Sequence, residues 1–392
     1  MSLLTSPLAS YFARTDRSLI SRWWWTVDKG MLFGLLTLVI IGISMVASAS
    51  PAVATRIGAD PTHFIIRHII FAVPATILMV VVSMLSHQVI RRLGIIFFVG
   101  ALFLMMIVPF VASDIKGAQR WIPVFGFSLQ PSEFIKPAFA IVAAWLIARR
   151  KQHEQGPGYM VSAALYVLVV FLMLIQPDFG MTFVITCMFF AQAFMAGLPF
   201  RYMVTLGLLS IVGIVCIYFT FDHVHNRIDR FMNPDGSADT YQVDRSLEAF
   251  AHGGVLGTGA GQGTVKNTIP DAHADFIFAV FAEEFGLIVT LLLVGLYGFI
   301  LLRGFSRLME TTDLFVILAA GGILCMFGIQ TFIHMGSSLH LLPAKGMTLP
   351  FISYGGSSIM AIGFSMGVVL GLTRREARRT IAKRGLSLST RV

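Results

Sequence analysis

The stretch Met31-Leu-Phe-Gly-Leu-Leu-Thr-Leu-Val-Ile-Ile-Gly-Ile-Ser-Met-Val-Ala-Ser-Ala49 decides the fold. It is uncharged throughout, and about 20 such residues are what an α-helix needs to cross the hydrocarbon of a bilayer. Comparable stretches recur at about residues 64–84, 93–112, 133–148, 160–176, 180–197, 202–219, 276–301, 314–335 and 351–373. The fourth and fifth are short, and Pro137 interrupts the fourth. Only Pro177-Asp178-Phe179 separates the fifth from the sixth, which predicts a helical hairpin or a single broken helix. The pattern describes an all-α polytopic membrane protein of about ten transmembrane helices.

Composition agrees. Hydrophobic residues make up 56% of the 392, and charged residues only 12%, against about 25% in a typical soluble domain. Mean hydropathy is +0.80, which excludes the soluble enzyme classes. Cys187, Cys216 and Cys325 all sit inside apolar runs, so they read as small buried hydrophobes with no disulfide framework and no cysteine metal site.

The net charge of +9 reflects orientation rather than nucleic-acid binding. With the N-terminus in the cytoplasm, 19 of the 29 Lys and Arg fall in inside segments, from Arg14, Arg17, Arg22 and Lys29 through Arg149-Arg150-Lys151 to the tail beginning at Arg374. Ten spans place both termini inside, and both are basic, as the positive-inside rule requires. Residues 1–30 are then a cytoplasmic basic and aromatic segment, with Trp23-Trp24-Trp25 as an interfacial anchor. No cleavable signal is expected there. Residues 31–373 form the membrane domain, and 374–392 a basic cytoplasmic tail resting on anionic headgroups. The segment 221–275 is one large extracytoplasmic loop.

Polar groups of both signs collect on the outer side. One cluster runs from Asp114 through Lys116, Arg120, Gln130 and Glu133 to Lys136, another lies in the 221–275 loop, and a third lies between Ser337 and Tyr354 and includes Lys345. The glycine-rich run Gly253 to Gly263 is neither a Walker A loop nor a dinucleotide fingerprint. It reads as a plain re-entrant turn or as a backbone nest for an anion. Asp271 and Asp275 sit four residues apart at the start of the eighth span, sharing a face if the helix has begun by residue 271. A carboxylate so placed can take a proton from a hydroxyl, or Asp275 can simply cap the helix. Glu283 and Glu284 lie deeper. Membrane carboxylates are costly and face a cavity or a cation, and Arg67 is one available partner. His223, His225, His252 and His273 show no zinc-type spacing.

Four ordered motifs carry a resemblance. They are Lys116-Gly-Ala-Gln-Arg120-Trp-Ile with Gln130-Pro-Ser-Glu133-Phe, then Gln176-Pro-Asp178-Phe-Gly180. Pro270-Asp271-Ala-His273-Ala-Asp275-Phe-Ile-Phe follows, continuing to Glu283-Glu284-Phe-Gly286. Last comes Leu342-Pro-Ala-Lys345-Gly-Met-Thr-Leu-Pro-Phe-Ile-Ser353-Tyr354-Gly355-Gly-Ser-Ser358. Over about residues 28–375 the chain resembles the SEDS family of shape, elongation, division and sporulation proteins. The lysine form of the fourth motif is more similar to its division branch than to its elongation branch, and the sporulation branch shares it. Departures from the family pattern are His334, Ser338, His340, Asp271 in place of a common Glu, and Asp244-Arg245-Ser246.

The resemblance implies a peptidoglycan glycosyltransferase of the bacterial cytoplasmic membrane, acting at the septum on lipid II as donor and acceptor. Asp275 is then the expected general base on the acceptor 4-hydroxyl, with Arg120, Lys136 or Lys345 stabilising the departing polyprenyl diphosphate. Glu133, Asp178 and Asp271 are expected to shape the site or to hold a divalent cation, magnesium or manganese, whose need stays open. Ser353, Tyr354 and Gly355 are expected to shape the cavity, and Arg67, Glu283 and Glu284 to support the structure. A class B penicillin-binding protein transpeptidase is the implied partner, with other divisome membrane proteins, because the chain has no extracytoplasmic domain of its own to crosslink the glycan. The alternatives are a lipid II transporter, which ten spans with intramembrane charges also suit, and a non-catalytic divisome scaffold.

Overall fold

The computed structural model describes residues 18–112, 120–124, 126–153, 156–220, 225, 238–343 and 346–375. A short helix α1 (Leu19–Thr26), capped by Ser18, leads into α2 (Lys29–Arg56). There the Asp28 carboxylate caps the first turn by accepting from the Met31 N–H at 3.0 Å. Next come α3 (His63–Met84) and α4 (His87–Val111). A small antiparallel hairpin of β1 (Ile122–Val124) and β2 (Phe127–Leu129) follows, pairing Ile122 with Leu129. The chain continues through α5 (Pro131–His153), α6 (Gly158–Ile175), α7 (Phe179–Met195) and α8 (Phe200–Thr220). It ends with α9 (Ala238–Gly253), α10 (Ile277–Leu308), α11 (Leu314–Ser338) and α12 (Gly356–Leu372).

Each of the ten apolar stretches coincides with one helix. Seven of these (α2 to α6, α10 and α11) have the length and composition to cross a membrane, and α7 and α12 are shorter apolar helices. The Pro177 junction separates two helices, α6 and α7. Pro137 lies inside a continuous α5. Cys187 and Cys325 lie in α7 and α11, outside any disulfide and half-buried rather than buried as expected; the side chain of Cys216 lies outside the described residues.

Helices α5, α11 and α12 are the most buried and form the centre, whereas α3, α4 and α6 turn large apolar side chains such as Ile69, Phe103 and Phe171 outward. Between lipid-facing helices the hydrophobic effect gives little drive, so close approach and polar contacts hold the bundle. Helix α12 meets α3 through small residues: a Cβ at Gly363 would sit 2.6 Å from the Ala75 carbonyl, and one at Gly367 2.7 Å from that of Met79. The buried Gln192 amide of α7 ties three helices together by donating to Ala140 O of α5 (2.8 Å) and Leu318 O of α11 (3.0 Å).

One span differs from expectation. Helix α10 breaks at Gly286, whose φ of 74° is left-handed. The groups freed by the break find partners in the glycine-rich segment. Glu283 O and Glu284 O accept from Thr258 N (3.0 Å) and Gly259 N (2.9 Å), and Leu287 N donates to Gly254 O (2.9 Å). Irregular backbone at membrane depth is tolerated only where protein satisfies it, and the loop supplies that. It fits because Gly257 and Gly286 lie backbone against backbone, with no room for a side chain at either.

Candidate active site

One end of the bundle carries three linked polar groups. The first is centred on Asp178, 3% exposed. Ser132 Oγ donates to its Oδ2 at 2.9 Å and Gln130 Nε2 at 3.2 Å, and the Arg120 guanidinium stands 3.6 Å away. Arg120 also donates to the carbonyls of Gln176, at 3.0 Å, and Pro177. The second and first motifs of the sequence are thus brought together at the α6–α7 junction. Gln130 N donates to Ser357 Oγ (3.0 Å), which donates to Ser128 O (2.9 Å), fastening the β-hairpin to the head of α12.

The second group lies one turn inside α5. Lys136, 1% exposed, pairs with Glu133 at 2.8 Å and donates to Gln330 Oε1 of α11 at 3.3 Å. Gln330 Nε2 in turn donates to the carbonyl of Thr348 (3.2 Å), and the Thr348 hydroxyl meets Ser358 Oγ at 2.6 Å. His334 Nδ1 bonds the carbonyl of Met347 at 2.6 Å. A buried cation is thereby tied, through Gln330, to Thr348 of the fourth motif.

The third group holds Asp271 and Asp275. They lie in turns ahead of α10, which begins at Ile277 with Phe276 as its N-cap. Asp271 has φ +51°, and Asp275 N donates to Asp271 O at 3.0 Å. The expectation that the pair shares a face of a helix begun by residue 271 is therefore corrected, as is capping by Asp275. A short polar residue such as Asp occupies left-handed backbone more readily than a longer one. Asp275 faces the fourth motif: a Cβ placed on Gly346 would lie 3.2 Å from its Oδ2. The two strands of this wall are stitched by Tyr354 N to His273 O (2.9 Å), Ser353 Oγ to Ala274 O (2.6 Å) and Leu349 N to Ser353 Oγ (2.7 Å). Gly355 leads into α12, its α-carbon against Thr348. Lys345 lies outside the described residues.

Rings pack behind this wall. Phe64 stands 4.2 Å from His273 and 5.1 Å from Tyr354, centroid to centroid. Burial pushes the His273 imidazole down to about 4, the negative charge of Asp271 opposing it. Burial also pushes the Tyr354 phenol up, against the guanidinium of Arg67, which hydrogen-bonds it.

Glu283 and Glu284 are fully or nearly fully buried, and Arg67 is not their partner. Glu283 accepts from the backbone N–H groups of Thr264 (2.7 Å), Val265 (2.7 Å) and Lys266 (2.8 Å), and contacts His252 Nδ1 at 2.8 Å. Glu284 pairs with the Lys266 ammonium and accepts from Ser48 of α2. Arg67 lies instead against Tyr354 and, at 5.8 Å, over the Phe127 ring. The reason is the loop: residues 264–266 fold over α10 and reach its carboxyl groups first. The glycine-rich segment does lead into an anion nest, and the anion is the chain's own Glu283.

The arrangement matches known proteins. A family model described as a cell cycle protein, FtsW/RodA/SpoVE, matches residues 29–378. A relative from Caulobacter vibrioides, named a probable peptidoglycan glycosyltransferase FtsW, is 44% identical over 95% of this chain and 96% of its own. One of the same name from Coxiella burnetii is 36% identical over 88% and 96%. The chain belongs to the FtsW/RodA/SpoVE family. Among solved structures, a chain from a peptidoglycan synthase complex that coordinates polymerization and crosslinking superposes with a TM-score of 0.75. It is 27% identical, covering 89% of this chain and 98% of that one. The rod shape determining protein RodA of Thermus thermophilus gives 0.66 at 27% identity, covering 90% and 99%.

For an FtsW/RodA/SpoVE protein, the described residues offer a poor divalent-cation cage. No three His, Cys, Asp or Glu among them converge. Glu133 is engaged by Lys136, and Asp178 by Arg120, Gln130 and Ser132. Sequence reasoning missed Gln330 and Lys266. An amide in mid-span and a single lysine beside a glycine run and a Glu-Glu pair were the available signals.

Proposed function

We propose that this protein is a peptidoglycan glycosyltransferase that polymerises lipid II for the septal wall, with Asp275 as its general base. The observation that carries the reading is the placement of the Asp275 carboxyl against Gly346, between two backbone runs stitched at Ser353 and Tyr354. The names of the relatives support it. Asp275 takes the proton from the acceptor sugar 4-hydroxyl. The oxygen attacks C1 of the donor, inverting it to a β-1,4 bond, and polyprenyl diphosphate leaves with the bonding pair. Arg120, whose side chain is 24% exposed, is the described cation best able to meet that diphosphate. Lys136, sealed behind Glu133, acts from within. A class B transpeptidase would crosslink the product.

The transporter alternative rested on Arg67, Glu283 and Glu284. All three are consumed by contacts within the chain, which favours the enzyme. The test is polymerisation of labelled lipid II by purified protein with its transpeptidase partner, wild type against Asp275→Ala. Glycan from wild type and none from a folded variant supports the assignment. Glycan from both removes Asp275 from the role.

A further inference from the structure

At the end of the bundle opposite Asp275, where both chain ends emerge, lies a cavity of about 2620 Å³ between α1, α3, α4, α5, α10 and the end of α12. Its lining includes Arg22, Arg91, Arg149, Arg307, Arg374 and Arg375, against only Glu310 and Asp313. Trp23, Trp25 and Trp145 line it as well.

These cations are not all equivalent. Arg307 is committed to Asp28 and Glu310, and Arg374 donates to Leu85 O at 2.8 Å. Arg91 of α4 and Arg149 of α5 converge on one indole: their guanidiniums lie 5.6 and 6.0 Å from the Trp145 ring. No carboxylate partner accompanies either among the described residues. Two like charges gathered at one ring repel each other, and a shared anion reverses the sign of that interaction. The sequence flanking the described residues is itself mostly basic: residues 376–392 hold Arg378, Arg379, Lys383, Arg384 and Arg391 against Glu376, and residues 1–17 hold Arg14 and Arg17 against Asp16.

We infer that this cavity is a binding site for the phosphodiester headgroup of an anionic phospholipid, gripped by Arg91 and Arg149 across Trp145. Guanidinium forks match phosphate oxygens bidentately. Tryptophans mark the membrane–water level, where a headgroup, rather than a soluble anion, sits. The lipid locks α4 to α5, and so acts at the far end of the helix that carries Glu133 and Lys136.

The test titrates the full-length protein in detergent with phosphatidylglycerol or phosphatidylcholine and counts bound lipid by native mass spectrometry. Phosphatidylglycerol should bind in preference. The Arg91→Gln/Arg149→Gln variant should weaken that binding about twenty-five-fold, each arginine near a headgroup contributing about a fivefold factor. Arg245→Gln, at the other end of the bundle, should leave it unchanged. Arg22→Gln, an exposed position on the cavity wall, provides a second variant should the double one fail to fold, and should weaken binding about fivefold. Equal affinity for the two lipids would overturn the site, as would phosphatidylglycerol binding indifferent to these substitutions. Displacement of the lipid by millimolar inorganic phosphate would show that the cavity takes the free ion and overturn the lipid assignment.

Discussion

Replacing Glu283 by Gln should loosen the loop that precedes Asp275. The Glu283 carboxyl is wholly buried and gathers three backbone donors, Thr264 N and Val265 N on Oε1 and Lys266 N on Oε2. The amide of Gln keeps one oxygen for Thr264 and Val265, but turns an NH2 toward the Lys266 N–H, donor against donor. It also removes the charge that strengthens the remaining bonds, and hydrogen bonds to charged groups contribute about 1.5–3 kcal/mol each. A loss of about 3 kcal/mol is expected, near the lower edge of what breaking a buried ionic contact costs. That energy corresponds to roughly a hundredfold rise in local opening. Amide hydrogen exchange measured on peptides covering 258–268 should accelerate by that factor, while peptides from α5 and α11 keep their protection. Polymerisation should fall in parallel, because Asp275 follows Lys266 by nine residues. His252→Ala should do much less, since that imidazole is 43% exposed and exposed pairs contribute little. Unchanged exchange over 258–268 in Glu283→Gln would refute the idea that this carboxyl pins the loop.

Gly286→Ala should destabilise by more than about 2 kcal/mol, since its left-handed φ is strained for alanine and the Cβ would lie 2.5 Å from Val255 O; the melting temperature in detergent checks it. The depressed His273 makes the unfolded state bind a proton between pH 6.5 and about 4 while the native state does not. Stability should therefore be full above pH 6.5 and fall as pH drops through that window, by up to about 3 kcal/mol, and His273→Gln should flatten the profile. Gln330→Leu should cost about 1–3 kcal/mol by removing an acceptor from buried Lys136 and should slow polymerisation. Gln330→Glu, which keeps an acceptor, should retain more of both, as read by melting and by initial rates.

Legibility in the sequence followed the range of the interaction. The ten apolar stretches were readable because burial in lipid is a local demand on each segment, met residue by residue. Asp178, Glu133 and Asp275 were readable as site candidates because charges near membrane depth need a reason to be there. Partners were not readable. Arg67 looked available to Glu283 by depth alone, but a loop residue, Lys266, reaches α10 because the chain folds back across it. The break at Gly286 was equally hidden. Its left-handed backbone is stable only because Thr258 and Gly259 arrive to satisfy the carbonyls of Glu283 and Glu284, and nothing in the apolar pattern of 276–301 announces that meeting.

The same geometry bears on how the proposed base is held. On one side, the nest around Glu283 and the Lys266–Glu284 pair anchor the chain nine residues before Asp275. On the other, Tyr354 N and Ser353 Oγ clasp the carbonyls of His273 and Ala274, the two residues just before it. Three backbone donors and two backbone acceptors do this work, and none of these five bonds is made by the Asp275 side chain. A carboxyl positioned by its neighbours' backbone can be removed without removing what positions it. Asp275→Ala should therefore insert and melt close to wild type while making no glycan, whereas Ser353→Ala, which leaves Leu349 N without its acceptor, should lower stability and activity together. A collapse of Asp275→Ala to the unfolded state would show that the carboxyl holds the wall up rather than serving the reaction within it.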